Sequence, residues 1–410
     1  MENSGSRLHR TRPSCRSQRD PCPPAMRTII AHSDELESNE AVADLIEQAE
    51  RRLEGARPVA GLLYMGVCYD HALVLEELQR RWPDLPLIGS TTDGELSSVA
   101  GFQYESIVLT LFVGEDIWAE TAVARDLSGG VDEAVEAALG MLSTPGDLCI
   151  ALPHPVSSDT TEVIRQLDSK LDPNRCTVVG ALSGDRRKHY EFAEFHRDEV
   201  LEDACPLLVL GGGIRSSVGV GSGWFPVGED HIVTESDGNV VHQIDGRPAL
   251  ELLSDRWGIA EIGTLGEHPL AVRDPDVEGG FVLRAVLTHD PRTGSLVFGG
   301  GIPEGARVCF TEVFPEGILE GSRRSIEGAL ERYPGSHPSA ALVFSCVARK
   351  WMLGTRVPEE AQTIQSALGN AGSQQLELSG FYGFGEIAPN EIGRPSHLHN
   401  ETCISIVLGH

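Results

Sequence analysis

The stretch GSTTDGEL at residues 89–96 has a counterpart in GFYGFGEI at residues 380–387. Both read glycine, four residues, glycine-glutamate and an apolar residue, and similar motifs follow them: ESIV from Glu105 and ETCI from Glu401. Apolar runs typical of a buried strand, an amphipathic helix and a second strand precede both stretches. The shared order of strand, helix, strand, loop and strand indicates an internal repeat.

A third and more divergent copy lies between these two. It comprises a strand at 147–152, a helix at 160–171, a strand at 177–180, the loop ALSGD at 181–185 and a strand at 207–210. The glycine-rich run at 211–223 is not a dinucleotide-binding loop, because strands rather than a helix follow it. Later runs predict an antiparallel meander of strands at 281–288, 295–299 and 307–311. We predict a mixed α/β (α+β) fold in two domains, with mixed sheets flanked by helices.

Length and charge narrow the classes of function. The chain has 410 residues and a mass of 44.2 kDa, more than one hydrophobic core usually serves. Its 33 Lys and Arg against 61 Asp and Glu give a net charge of -28, which argues against nucleic-acid and membrane partners. No run of eighteen apolar residues predicts a transmembrane helix. The nine cysteines form no CxxC pair, which favours a reducing, cytoplasmic location and no zinc site.

Residues 1–26 differ in character from the rest of the chain. They carry five Arg against Glu2 and Asp20, a net charge of +3, with Pro and Ser between them. They contain no apolar stretch of the kind that a signal peptide needs. We interpret them as a disordered leader, or as residues that precede a true start at Met26.

Seven motifs after Met26 resemble the FIST sensory family. They are PLIGSTTDGE at 86–95, VVGALSGD at 178–185, GWFPVG at 223–228, FVLR at 281–284, FSCVAR at 344–349, GFYGFGE at 380–386 and HNET at 399–402. The resemblance assigns residues 27–248 to a FIST N-terminal domain and residues 249–410 to a FIST C-terminal domain.

The resemblance implies a module that binds small molecules such as amino acids and is not an enzyme. Beyond the two domains the chain has only its leader, so the output is expected through a separate partner such as a histidine kinase or a cyclic-dinucleotide enzyme. One branch of the family binds haem and senses nitric oxide, and a haem sensor is therefore the alternative. No other cofactor is expected.

The first candidate site is the loop that ends the predicted strand at 85–89. The hydroxyl groups of Ser90, Thr91 and Thr92 would hold the carboxylate of a small zwitterion, and Asp93 or Glu95 would hold its ammonium group. The same residue types also form plain turns, so a structural role is the alternative.

The second candidate site combines residues from the last third of the chain. Arg349 would clamp a ligand carboxylate, or else form a structural ion pair, and Cys346 is either a reactive thiol or a buried cysteine. Glu386 would face Glu95 as a carboxylate pair, or each would stabilise the start of a helix. Tyr382 and Asn400 complete the predicted ligand-binding set, with capping of the final strand as the alternative for Asn400. The ligand is expected between the loops at 90–95 and 380–386.

Two further hypotheses stay open on the sequence alone. His154, His397 and His399 are candidate axial ligands for haem, although no CxxCH attachment motif is present. An enzyme would use Cys346 as its nucleophile with help from His399 or Glu386, but no Gly-x-Ser-x-Gly elbow, P-loop or metal cluster supports it. A scaffold that recruits a partner without any ligand is the remaining option.

Overall fold

The computed structural model describes residues 26–143, 146–156, 159–186, 191–258, 268–273, 280–370 and 376–410. The predicted leader lies outside these residues except for Met26, whose assignment to the leader is corrected. Met26 is buried, and its carbonyl accepts a hydrogen bond of 2.7 Å from Ser339 Oγ. Among the described residues, no helix is both long and apolar enough to cross a membrane.

The first of three related units covers residues 27–113. Its elements are β1 (Arg27–Ser33), α1 (Ser38–Leu53), β2 (Ala60–Gly66), α2 (His71–Arg81), β3 (Leu87–Thr92), β4 (Glu95–Ser97), β5 (Gly101–Gln103) and β6 (Ile107–Val113). Strands β2 and β3 pair in parallel, while β6 runs antiparallel between β1 and β2. Asp70 caps α2 by accepting a hydrogen bond from Leu73 N, and Pro83 follows its end.

The second unit repeats this topology. Its elements are β7 (Trp118–Arg125), a 3-10 turn (Leu127–Gly129), α3 (Val131–Leu139), β8 (Leu148–Ala151), α4 (Thr160–Leu171), β9 (Thr177–Ala181), β10 (Glu194–His196), β11 (Glu199–Leu201) and β12 (Ala204–Gly211). Here β8 and β9 are the parallel pair, and β12 lies between β7 and β8.

The third unit begins with β13 (Arg215–Ser222) and is then interrupted by an inserted sheet. The inserted elements are β14 (Trp224–Asp237), β15 (Val240–Ile244), β16 (Arg247–Pro248), α5 (Ala249–Trp257), β17 (Leu270–Arg273), β18 (Phe281–Arg284), β19 (Val286–Asp290), β20 (Ser295–Phe298) and β21 (Arg307–Val313). The predicted meander is only partly correct, because β19 and β20 pair but β21 pairs with β14 and β17. The predicted domain division between residues 248 and 249 lies inside this insertion.

The third unit then resumes with the same order of elements. They are α6 (Pro315–Arg332), β22 (Pro338–Cys346), α7 (Val347–Leu353), a 3-10 turn (Gly354–Arg356), α8 (Val357–Asn370), β23 (Glu377–Gly383), β24 (Glu386–Pro389), β25 (Ser396–His399) and β26 (Thr402–Gly409). Strands β22 and β23 are parallel, and β26 lies between β13 and β22. The internal repeat predicted from the two glycine-glutamate loops therefore has three copies of one topology.

Each unit contributes its hairpin to the sheet of another unit. The β4–β5 hairpin pairs with β23, the β10–β11 hairpin with β3, and the β24–β25 hairpin with β9. This exchange closes the three units into a ring. Three backbone hydrogen bonds of 2.9 Å mark equivalent junctions: Thr91 N to Ala193 O, Leu182 N to Gly385 O and Tyr382 N to Gly94 O.

The inner faces of the three sheets form one shared core, and the helices cover the outer faces. The shared core includes Ile30 and Leu62 from the first unit, Ile150 and Leu208 from the second, and Leu342 and Ile404 from the third. The helices of each unit pack on its outer face in a separate apolar cluster. The predicted mixed α+β class, with mixed sheets flanked by helices, is confirmed.

Candidate functional site

Three buried glutamates occupy equivalent positions, at the first residue of each exchanged hairpin. They are Glu95, Glu194 and Glu386. The strand register confirms the equivalence. Each glutamate pairs with the residue that follows the equivalent glycine of the neighbouring sheet: Glu95 with Phe381, Glu194 with Ser90 and Glu386 with Ala181. The sequence comparison found Glu95 and Glu386 but missed Glu194, because a longer loop separates it from its glycine. All three begin strands, so the helix-start alternative is wrong.

Glu95 lies in a continuous buried hydrogen-bond network. Its Oε1 accepts from Thr92 Oγ1, and its Oε2 accepts from Ser106 N at 3.1 Å and Ser106 Oγ at 2.6 Å. His32 bridges Ser106 Oγ and Ser97 Oγ at 2.8 and 2.7 Å. Burial raises the pKa of Glu95 to about 7, and burial lowers the pKa of His32 to about 4. The network therefore holds a carboxyl that exchanges its proton near neutral pH.

The raised pKa of Glu95 predicts a pH-dependent stability. The folded chain holds this proton up to a pH of about 7, whereas the unfolded chain releases it near 4.5, so the contribution of Glu95 to stability falls as pH rises between the two values. We expect Glu95→Gln, whose amide cannot ionise, to gain about 1 to 3 kcal/mol of unfolding free energy over the wild type between pH 5 and 8. Urea unfolding at each pH measures this difference in unfolding free energy. The exposed Glu115→Gln should follow the wild-type curve, and parallel curves for all three proteins would contradict the prediction.

Glu386 has the same position as Glu95 but fewer partners. Its Oε2 accepts from Thr402 N at 3.3 Å and Thr402 Oγ1 at 2.7 Å, while its Oε1 has no hydrogen-bond partner among the described residues. The reason lies in the repeat, since Gly383 stands where Thr92 supplies a hydroxyl to Glu95. Burial raises the pKa of Glu386 well above its ordinary value. Both glutamates bond to residues of their own unit, so they form no carboxylate pair with each other.

Cys346 lies beside Glu386 at the end of β22. Burial raises the pKa of this thiol well above its ordinary value, and the neighbouring Glu386 and Glu401 raise it further. The reactive-thiol alternative does not fit this environment, because the negative neighbours and the loss of water both disfavour the thiolate. The buried-cysteine alternative describes the structure.

The Nη2 and Nε atoms of Arg349 form hydrogen bonds with residues of the third unit. Arg349 is fully buried, and its Nη2 pairs with Glu360 Oε1 at 2.7 Å and donates to Ile318 O at 2.9 Å. Burial alone would raise the pKa of Glu360, but Arg349 and hydrogen bonds from Ser322 and Tyr382 hold it below its ordinary value. The ion-pair alternative thus replaces the anion clamp, and this pair joins α7 to α6 and α8. The sequence analysis missed Glu360, although its spacing with Val357, Ala361 and Ile364 on one helix face was a usable signal.

The predicted loop at 90–95 is shorter than expected. Ser90, Thr91 and Thr92 are buried within β3, and only Asp93 and Gly94 form the turn. Backbone hydrogen bonds of 2.9 Å join this turn directly to β23, from Asp93 N to Tyr382 O and from Tyr382 N to Gly94 O. A ligand between the two loops would have to break these bonds, so the expected location is wrong.

Asn400 is buried against Gly299 of the insertion, and its Oδ1 has no hydrogen-bond partner among the described residues.

Asp93 forms a second buried ion pair, with a lysine that the sequence analysis did not select. Lys350 Nζ lies 2.6 Å from Asp93 Oδ1, also donates to the Asp93 carbonyl, and stands 4.9 Å from the centre of the Tyr104 ring. Asp93 Oδ2 has no hydrogen-bond partner among the described residues. Burial raises the pKa of Asp93 to about 6 and lowers the pKa of Lys350. Arg186 of the second unit approaches the same Tyr104 ring at 5.4 Å, so all three units meet here.

An open groove of about 690 Å³ has Lys350 of this ion pair in its lining. Its lining includes Phe102, Tyr104, Lys350, Trp351, Thr355 and Pro358. Lys350 is only 6% exposed, so it forms the floor of the groove while the aromatic side chains form its walls. A second groove, of about 820 Å³, lies near Arg57, Arg81 and Trp82. Neither groove is lined by a predicted site residue, but the first is lined by Lys350, the partner of the predicted Asp93. The first groove is the candidate site.

The metal-ligating side chains of the described residues are dispersed. They contain no group of three or more His, Cys, Asp or Glu side chains arranged to hold a metal ion. His399 does not fit an axial haem ligand, because its ring is buried and its Nε2 donates to Ala388 O at 3.0 Å. The ring centres of His154 and Phe192 lie 5.6 Å apart.

Comparison with known proteins assigns the family. The family model for the FIST N domain matches residues 59–247, and the model for the FIST C domain matches residues 249–389. The chain belongs to the FIST family. FIST domains are small-ligand sensory domains of signal transduction. In this FIST protein the two family matches meet inside the inserted sheet, so together they span all three units of the ring.

Relatives of this FIST protein are found in mycobacteria. An uncharacterised protein of Mycobacterium tuberculosis strain H37Rv is 28% identical over 378 residues, covering 89% of this chain and 95% of its own. An uncharacterised protein of Mycobacterium bovis is 30% identical over 273 residues, covering 63% and 67%. Among solved structures, a chorismatase aligns over 94% of this chain and 99% of its own at 10% identity with a TM-score of 0.32. A cyanuric acid hydrolase from A. caulinodans covers 47% and 72% at 11% identity with a TM-score of 0.23. Likenesses this slight carry no argument about this chain.

Proposed function

We propose that this protein is a cytoplasmic, non-enzymatic sensor of an amino acid or a similar small zwitterion, which binds in the groove above Asp93 and Lys350. The observation that carries the proposal is Lys350 at the floor of an open groove, paired with the buried Asp93, whose Oδ2 has no hydrogen-bond partner among the described residues. Buried polar atoms are nearly always hydrogen-bonded, so an unsatisfied oxygen at this position favours a ligand that supplies a donor.

The chemistry of the pair suits both ends of an amino acid. Asp93 Oδ2 accepts from an ammonium group, and Lys350 has three N–H donors, of which two point to Asp93 Oδ1 and to the Asp93 carbonyl. The third donor is left for a carboxylate, with Arg186 near the same aromatic ring. Because Asp93 and Lys350 neutralise each other, a zwitterion adds no net charge to the site.

The position of Lys350 also supports a route for the signal. Lys350 and Arg349 are neighbours on α7, and Arg349 holds this helix to α6 and α8 through Glu360 and Ile318. A ligand shifts an equilibrium between two states only if it binds one of them more tightly. A ligand that binds Lys350 in only one position of α7 would therefore favour that position and shift the packing of the third unit against the first. The altered surface would be recognised by a separate signalling protein, such as a histidine kinase or a cyclic-dinucleotide enzyme.

A thermal-shift screen with amino acids tests this proposal. A ligand at one hundred times its dissociation constant stabilises the folded chain by about 2.7 kcal/mol, which raises the melting temperature by several degrees. We expect Lys350→Met to melt at a lower temperature than the wild type, because it leaves the buried Asp93 unpaired, and to lose the ligand-induced shift. Lys170→Met is the matched control, because Lys170 pairs with Asp132 and Glu136 at the surface of the second unit. If no amino acid stabilises the wild type, or if both variants respond alike, the proposal fails.

A further inference from the structure

We propose that the groove selects amino acids with an aromatic or large aliphatic side chain over small, acidic or basic ones. This inference rests on the proposed function, because it takes the ion pair of Asp93 and Lys350 as the anchor of the ligand's ammonium and carboxylate groups. It adds the class of ligand, which follows from the shape and the chemistry of the groove walls.

One wall of the groove is a ledge formed by the aromatic rings of Phe102 and Tyr104. The rings of Phe102 and Tyr104 meet edge to face with centres 4.7 Å apart, and Phe102 makes a second edge-to-face contact with Tyr382 at 5.4 Å. Tyr382 is fully buried and donates a hydrogen bond to Glu360, so the ledge is fixed to the core of the third unit. Tyr104 remains 45% exposed, which leaves its ring accessible from the groove. Preformed aromatic surfaces of this kind bind flat apolar groups.

The other wall continues from the anchor along α7 and the start of α8. Trp351 directly follows Lys350, and Val357 and Pro358 line the groove beyond it. A ligand whose head group contacts Lys350 therefore directs its side chain between Trp351 and the ledge formed by Phe102 and Tyr104. The volume of about 690 Å³ lies within the range of pockets that enclose larger ligands, so glycine or alanine would leave most of it to water.

The walls also disfavour a charged side chain. Apart from Lys350, the residues that line the groove are aromatic, aliphatic or uncharged polar residues. Lys350 is already paired with Asp93, and the nearby Arg186 is paired with Glu105, so an additional acidic or basic group would leave water without a free counter-ion. Apolar ligands pay no such desolvation penalty.

Isothermal titration of the full chain with glycine, alanine, leucine, phenylalanine, tryptophan, glutamate and lysine tests the inference. We expect leucine, phenylalanine and tryptophan to bind at least about tenfold more tightly than alanine, because each buried methylene in an apolar pocket contributes a large factor. Glutamate and lysine should bind no more tightly than alanine.

Two variants separate the anchor from the walls. Lys350→Met should weaken alanine and phenylalanine by the same factor, whereas Trp351→Ala should weaken phenylalanine by about tenfold and leave alanine unchanged. Phe225→Ala is the control, because Phe225 is an exposed aromatic residue of the inserted sheet. If amino acids bind through Lys350 but the small or charged ones bind most tightly, or if Trp351→Ala has no effect, this inference is overturned and the proposed function stands. If none of the seven binds, both are overturned.

Discussion

Arg349→Ala is expected to lower the free energy of unfolding by about 3 to 5 kcal/mol, which is the usual cost of leaving one partner of a buried ion pair alone. Both Arg349 and Glu360 are fully shielded from water, and four further residues donate to or accept from the pair: Ile318, Ser322, Ser345 and Tyr382. Without the guanidinium, Glu360 must stay charged in an apolar environment or take up a proton. Urea unfolding at pH 7 measures the loss.

Two controls make this prediction specific. Arg80→Ala removes an arginine whose side chain is 58% exposed and pairs with Glu76 and Glu77, so it should change stability by less than about 1 kcal/mol. The double variant Arg349→Met with Glu360→Leu should recover part of the loss, because it removes both buried charges together. An Arg349→Ala protein of normal stability that no longer responds to amino acids would restore the ligand clamp and contradict the structural role.

Gly380→Ala is expected to prevent folding or to cost at least about 3 kcal/mol, more than most overpacked positions. A Cβ at residue 380 would lie 1.7 Å from the carbonyl oxygen of Val343 on the parallel strand β22. The two strands would have to separate at the centre of the third sheet, since backbone atoms cannot move aside as a flexible side chain does. The yield of soluble protein and the urea midpoint report the effect.

The repeat supplies both replicates and a control for this prediction. Gly89 and Gly180 are the equivalent residues of the other two units, with a Cβ placed 2.1 Å from Leu63 O and 1.8 Å from Ala151 O, so alanine should be as harmful there. Gly129→Ala should be almost neutral, because nothing lies within 4 Å of that added atom. A stable, soluble Gly380→Ala protein would show that the parallel strands have a wider spacing than described here.

These glycines explain why the motif shared by residues 89–96 and 380–387 indicated the repeat. The glycine of GSTTDGEL and of GFYGFGEI allows close strand pairing, and the glutamate begins the hairpin that crosses to a neighbouring sheet. A second conserved feature of the repeat is the turn before each last strand, where Glu105, Asp203 and Glu401 all have left-handed backbone with φ of 52°, 50° and 58°. The boundary between the two family domains therefore divides the sequence, whereas the folded protein is a ring of three repeated units.

Local interactions made much of the fold predictable. The helix at 71–81 has its cap, its apolar face and its terminating proline within a few residues, and the strands around Gly89 and Gly380 carry their apolar runs in the printed sequence. The mixed class, the repeat and the equivalence of Glu95 with Glu386 all follow from such short-range patterns. Thr92 was misassigned to a loop because Ser and Thr are common in turns but also pack well in strands.

The sequence by itself determined the family, the repeat and the type of the elements that form it, such as α2 and the strands at Gly89 and Gly380, because these depend on residues close together along the chain. Only the tertiary structure decided which side chains meet. Lys350 contacts Asp93 across 257 positions, and Arg349, its neighbour on the same helix, points instead to Glu360. Adjacent residues on a helix face different directions, so they contact different partners. Which partners they contact depends on how the hairpins exchange between units, and this long-range pairing cannot be read from a local sequence pattern.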